Sequence, residues 1–337
     1  FSLSSYHELS PTLQFTIELL YLFILTLKGT FSIYEDQKQR LLTACADISR
    51  ASYLGTYTLL FDSEQLVFDG KFQKLLNVLS EREDHPDIAG SPHILSQVLQ
   101  YRAFALAVLG RHEELWESVK GSLKLRARAG SPHFSAKNKI ILGAALSKGP
   151  RTDLAEKFLK VGIKGSKRVN ESHARVTAYA YRAAMRLREH DTPAALRDIE
   201  KMLEQVSIFD KNNCFLWHKQ TMAFVLSAAV KHAIYPEVAR TLAREQMSLE
   251  IEEDGSSIPL LLISTIGPIR FTVPFHGKTF RLHTLRPKPQ KLFTILLQYP
   301  SGTSAEAILD HLSEAEGTKV SRNNLDTILS RLRSDLS

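Results

Sequence analysis

Gly110-Arg-His-Glu-Glu-Leu-Trp-Glu-Ser-Val119 is the stretch that decides the fold. An apolar run, Val108-Leu109, ends at a glycine, and a new amphipathic run starts at once, with Leu115 and Val119 four residues apart and glutamates between and around them. Spacing of this kind predicts a helix with one apolar stripe. Glycine suits the left-handed conformation that ends a helix. The stretch therefore predicts two helices meeting at Gly110.

The same joint recurs outward in both directions. Leu27-Lys-Gly29, Phe68-Asp-Gly70, Ser147-Lys-Gly149, Glu189-His190-Asp191 and, more weakly, Lys231-His232 each follow an apolar run and precede another. From Gly29 through Gly70, Gly110, Gly149 and His190 to His232 the spacings are 41, 40, 39, 41 and 42. Nine residues before the first five joints stand Leu20, Phe61, Tyr101, Ile140 and Tyr181. Five or six residues after the joints come Tyr34, Leu75/Leu76, Leu115/Trp116, Leu154/Ala155, Ala195/Leu196 and Val238. Registered apolar columns predict stacked helical hairpins, since one hairpin cannot bury both columns alone. Pro92, Pro132 and Pro193 fall at expected helix starts, where proline is tolerated. An irregular helical bundle is the competing arrangement.

Composition agrees with a globular chain. The 337 residues are 44% hydrophobic and 23% charged, with 16 Gly and 13 Pro, which excludes a collagenous or mostly disordered chain. Cys45 and Cys214 do not make a disulfide framework, so a reducing, cytoplasmic setting is expected. Leu13–Leu27 is the most apolar stretch. It lacks a preceding basic region and a small-residue cleavage site, Gln14 and Glu18 interrupt it, and it is shorter than the roughly 20 residues of a bilayer span. It is expected to be a buried helix, with no membrane partner. An opening Phe1 is expected of a piece of a longer chain.

The repeats resemble tetratricopeptide repeats over about residues 10–250, in the longer variant found in the sensor arm of bacterial regulators of the MalT type. That resemblance implies an arm that takes a small-molecule inducer, a peptide or another protein, and an NTPase module ahead of the repeats.

Beyond Met247 the pattern changes. An acidic run, Glu250, Glu252, Glu253 and Asp254, leads to Gly255-Ser-Ser257, which reads as a polar linker over 251–257. Three β-like runs follow at Leu260–Ile266, Pro268–Val273 and Thr279–Thr284. Ile269, Phe271 and Val273 share one face, Phe280 and Leu282 share another, and His276-Gly277 forms the turn. Three amphipathic helices complete the chain, at Pro289–Tyr299, Thr303–Leu312 and Val320–Leu336. Their expected inner residues are Leu292, Ile295 and Leu296, then Ala307, Ile308 and Leu312, then Leu325, Ile328/Leu329, Leu332 and Leu336.

Ile266-Gly-Pro-Ile-Arg-Phe, Pro289-Gln-Lys-Leu-Phe-Thr-Ile-Leu-Leu, Glu306-Ala-Ile-Leu-Asp-His-Leu and above all Asn323-Asn-Leu-Asp-Thr-Ile-Leu-Ser-Arg-Leu-Arg-Ser-Asp-Leu resemble the winged-helix effector domain of the OmpR/PhoB type. The likeness is strongest to SARP-like bacterial activators and covers about 258–337. The family continues past its third helix into a hairpin wing, whereas this sequence stops at Ser337. The resemblance implies duplex DNA as partner, with the third helix in the major groove. It assigns base reading to Arg322, Asn323, Thr327 and Arg331, and phosphate contacts to Arg333, Lys319 and Ser330. Backbone N–H groups beside Thr303 and Ser304 would also meet phosphate.

The expected fold class is thus mainly α, a helical-repeat superhelix over 1–250 followed by a small α+β winged-helix domain over 258–337. The expected function is a bacterial transcriptional regulator. A repeat scaffold whose winged-helix domain docks proteins is the alternative. Other chemistry fails on spacing. Gly277-Lys278-Thr279 ends like a P-loop, but Thr272 stands where the first glycine belongs. His190, His218 and His232 lack metal-ligand spacing. Trp116 and Trp217 are expected in the core. Asn170-Glu-Ser172 is a sequon without meaning in a cytoplasmic chain. No catalytic, cofactor or metal residues are expected. Charge is concentrated at the end, where 258–337 holds 10 Lys+Arg against 6 Asp+Glu.

Overall fold

The computed structural model describes residues 10–44, 53–209, 213–264, 270–275, 278–299 and 303–336. The protein is mainly α-helical, with a small β part near its C-terminus. It divides into two compact units, one up to Ile258 and one from Pro259.

The first unit is a succession of helices: α1 (Pro11–Lys28), α2 (Phe31–Ala44), α3 (Tyr53–Phe68), α4 (Phe72–Glu83), a single turn α5 (Pro86–Ala89), α6 (Pro92–Val108), α7 (His112–Ala129), α8 (Pro132–Leu146), α9 (Thr152–Arg168), α10 (Ser172–Arg188), α11 (Thr192–Phe209), α12 (Lys219–Lys231) and α13 (Pro236–Met247). All six expected joints fall between consecutive helices. Gly29, Gly70 and Gly110 adopt φ of 71°, 72° and 74°, and His190 takes the same left-handed role at 63°. At the sixth joint that role passes to Ala233, one residue beyond His232. Prolines open α6 and α8, as their fixed φ favours.

Packing follows the order of the chain. The first helices of the hairpins, α1, α3, α6, α8, α10 and α12, each touch the next in that series, and α4, α7, α9 and α11 each touch the first helix of the following hairpin. The apolar columns supply these contacts. Phe61, Tyr101, Ile140 and Tyr181 are buried, as are Tyr34, Leu75, Leu115, Ala155 and Ala195. Leu20 departs from its column at 57% exposed.

The expectation of a buried helix over 13–27 needs correction. α1 buries Phe15, Leu22 and Leu25, but Leu13, Tyr21 and Ile24 remain more than two-fifths exposed. With apolar residues all round, α1 covers only one side against α2 and α3. No described helix is long and apolar enough to cross a membrane.

Residues 251–257, read as a linker, hold the end of β1 (Leu249–Ile251), a turn, and the start of β2 (Ser257–Pro259), which pairs with β1. The turn closes through Gly255 N–H to Glu252 O at 2.9 Å. Leu249 and Ile251 are buried against α12 and α13. Of the acidic run, Glu252, Glu253 and Asp254 stand exposed in the turn, while Glu250, within β1, accepts from Arg244 at 2.6 and 2.7 Å.

The second unit carries β3 (Leu262–Ser264), β4 (Arg270–Val273) and β5 (Lys278–Arg281) as an antiparallel sheet in that order. Phe271 stands opposite both Ile263 and Phe280. A 3-10 turn at Leu282–Thr284 leads to α14 (Pro287–Leu297), α15 (Ala305–Glu316) and α16 (Arg322–Leu336). The core joins Phe271 to Leu292, Phe293 and Ile295 of α14, Ile308 and Leu312 of α15, and Leu325, Ile328 and Leu332 of α16. Ile269, His276 and Gly277 lie outside the described residues, as do the side chains of Phe280 and Leu336.

Candidate functional site

Two places on the chain gather candidate functional side chains, one in each unit. The first is a cavity of about 470 Å³ inside the helical unit. It arises because the first helices of successive hairpins turn the same face inward. On α6 that face carries His93, Gln97 and Tyr101; on α8, His133 and Lys137; on α3, Leu60 and Glu64. Each set steps by four residues, which puts its members above one another on a helix. Leu19, Leu20, Phe23 and Leu27 of α1 give an apolar wall, and Phe215, from the segment joining α11 to α12, gives another.

The polar end of the cavity is built around Glu64, which is 6% exposed. One carboxylate oxygen accepts from Tyr101 Oη at 2.7 Å and the other from Leu216 N–H at 2.9 Å. Burial raises the Glu64 pKa, against these hydrogen bonds and the Lys137 charge, which lower it. Leu216 has φ of 55°, a strained value for a bulky residue. Its peptide is held on both sides, since Leu216 O also accepts from Tyr181 Oη at 2.6 Å. Glu64 thus fixes the segment that brings Phe215 into the cavity.

Lys137 places its ammonium 3.7 Å from the centre of the Phe215 ring, a close cation–π contact. Burial lowers its pKa, with Glu64 and Glu171 opposing that shift. Glu171 lies 3.5 Å from His133 Nε2 and also accepts from Ala174 N–H at 3.4 Å, near the start of α10. Arg126 of α7 meets His93 through Nδ1 at 3.0 Å and the backbone oxygen at 2.9 Å. Burial, then the charges of Arg126 and Lys137, lower the His93 pKa.

The second place is the outer face of α16. Arg322, Asn323, Thr327, Ser330, Arg331 and Arg333 are all exposed there, opposite the buried Leu325, Ile328 and Leu332. Lys319 is exposed just before the helix. Asn323, Thr327 and Arg331 form one row at four-residue steps, with Ser330 beside it. Thr327 Oγ1 donates to Asn323 O at 2.9 Å. Ser304 caps α15 by accepting from Ala307 N–H at 3.1 Å, while Thr303 is half-buried. Arg322 lies 3.9 Å from Glu306 in the first turn of α15, so the N-terminal ends of α15 and α16 come together. The α16 residues therefore share one surface; at the start of α15, where backbone N–H groups were expected to meet phosphate, the Ala307 N–H is already taken by the Ser304 hydroxyl.

No protein-family model, curated protein or solved structure matches the chain. The chemistry above therefore stands on the residues alone. Among the described residues no group of three or more His, Cys, Asp or Glu could hold a metal ion. Cys214 is a buried free thiol whose pKa burial pushes up to about 12, so it is not a poised nucleophile. His218 and Trp217 are buried, whereas Trp116 is half-buried, with Lys120 and Arg151 over its ring at 5.8 and 5.7 Å.

Sequence reasoning missed the cavity. Tyr101 was visible only as a member of an apolar column. Glu64 and Lys137 each sit within an otherwise inward-facing row, and a charge on the buried face of an amphipathic helix is the signal that marks them.

Proposed function

We propose that the chain is a DNA-binding regulator of two parts. A tetratricopeptide-like arm of stacked hairpins takes an effector, and a winged-helix-like C-terminal unit meets duplex DNA through α16. The observation that carries the reading is the outer face of α16. It collects four side chains able to read base edges or phosphate, Arg322, Asn323, Thr327 and Arg331, on one exposed surface. Arg forks onto guanine or phosphate, and Asn matches the donor–acceptor pair of adenine. A net +4 over residues 258–337 supplies a modest non-specific attraction. That modest charge also favours the alternative, a scaffold whose C-terminal unit docks proteins.

Titration of a labelled random-sequence duplex at stepped salt tests the reading. Affinity should fall linearly with salt on logarithmic axes. Arg333→Ala should weaken binding to all sequences and lower the slope by about one. Selection from the duplex pool should yield a preferred sequence, and Asn323→Ala should relax one position by about 1–3 kcal/mol. Equal binding to single strands and duplex at low salt would remove the DNA reading and leave the scaffold.

A further inference from the structure

We propose that the cavity of the helical unit binds a small, mostly apolar molecule bearing a single carboxylate, with Lys137 as its counter-ion. This deepens the effector-arm part of the reading above and does not depend on DNA binding.

Size comes first. About 470 Å³ falls within the range of small-molecule sites, roughly 300–1,000 Å³. Leu20 and Phe23 line the cavity while keeping 57% and 37% of their surface accessible. Apolar surface left uncovered beside an open cavity is surface that an apolar ligand would cover.

Charge selects the head group. Lys137 is the one ammonium on the cavity wall, and it makes no ion pair within 4 Å and no hydrogen bond among the described residues. Phe215 satisfies one side of it by its ring face, which leaves the three N–H donors unspent. Glu64 acts on Lys137 only through its field, since its oxygens, which accept from Tyr101 and Leu216, make no ion pair or hydrogen bond with the ammonium among the described residues. Glu171 sits beside His133 instead. A ligand carboxylate would give the ammonium the charge-assisted hydrogen bonds it lacks. The fields of Glu64 and Glu171 would oppose a second negative charge, and the wall of Leu20, Phe23 and Phe61 would leave one unsolvated. The site therefore fits a monoanion better than a dianion or a neutral analogue.

Calorimetric titration of the full chain with decanoate, 1-decanol and decanedioate tests this without any variant. Decanoate should bind one-to-one, and about tenfold or more tighter than either analogue, as one charge-assisted contact implies. Lys137→Met should abolish the preference for decanoate over decanol, and Lys137→Arg should keep it. Circular dichroism checks that both variants retain their helices. Equal affinity for decanoate and decanol, an unchanged preference in Lys137→Met, or no binding of decanoate would each overturn the proposal. Binding of decanol alone would overturn the carboxylate assignment while leaving the effector arm in place. Loss of duplex binding in the earlier assay would bear only on the C-terminal unit.

Discussion

His218 illustrates how a single buried base sets a pH limit. Its Nδ1 lies 2.7 Å from Thr221 Oγ1 and 3.3 Å from Lys148 Nζ, and its ring packs beside those of Phe72 and Phe104. An ammonium can donate to Nδ1 only while that nitrogen carries no proton. Burial, then the Lys148 charge, bring the imidazole down to about 3. Lys148 itself is brought down to about 8 by burial and the charge of Arg188. Between the folded value near 3 and the ordinary value of 6.5, the unfolded chain binds a proton that the folded chain refuses. Stability must therefore fall as pH falls through that window. Urea unfolding of the protein and of His218→Asn should diverge below pH 6.5, the variant losing less, by up to about 1.4 kcal/mol per pH unit. Parallel curves would mean that His218 is not held neutral.

At the scale of elements, the α8–α9 hairpin depends on a missing side chain. Gly162 lies in the middle of α9, where alanine would ordinarily favour the helix by about 1 kcal/mol. A Cβ there would sit 2.5 Å from Ile140 Cγ1, 3.1 Å from the Ile140 backbone nitrogen and 3.3 Å from Ala136 O. Ile140 is fully buried, so it has little room to yield. Gly162→Ala should cost a net 1–2 kcal/mol or so, overpacking outweighing propensity, and lower the urea midpoint. A raised midpoint would show that the two helices separate freely.

Other hairpins mark what was legible in the sequence. The joints at Gly29, Gly70 and Gly110 could be read because glycine takes the left-handed conformation that ends a helix, and the columns followed from the period; at Gly149 the joint falls in place without that conformation. The exposed side of α1 could not be read, because Leu20 and Tyr21 look like core residues until the neighbouring helices are in place. The sheet and three helices of the C-terminal unit were legible from alternation and amphipathic spacing, and so was the outer face of α16. The cavity was not, because it joins Leu20 and Tyr101 of one apolar column to Glu64, Lys137 and Phe215, which belong to none of the columns. Long-range packing creates it, and the local pattern marks only the charges of Glu64 and Lys137 on otherwise inward-facing rows.

At the largest scale, the helical unit differs from an open stack of repeats. In an open stack each hairpin touches only its neighbours, and stability is a sum of local terms. Here the first hairpin also meets the last. Asn213 Nδ2 donates to Thr26 O at 3.0 Å across 187 residues of sequence, and Gln246 Nε2 donates to Lys28 O at 3.4 Å. Gly29 makes room for that approach, since a Cβ there would collide with Gln246 and come within 3.3 Å of Asn213. The closure also brings the segment carrying Phe215 across to α1 and α3, which gives the cavity its wall. A ring of this kind should couple its ends. Asn213→Ala removes one buried bond, worth about 1 kcal/mol. It should therefore speed hydrogen exchange of the α1 amides about fivefold, the factor that this energy implies, while α8 and α9, which form a different hairpin, stay as protected as before. If α1 exchanges at its original rate, the hairpins behave as an open array and the cavity wall owes nothing to closure. If α1 loosens alone, the ligand site and the joining of the two ends are one structural fact, and decanoate should restore the lost protection by binding the closed form.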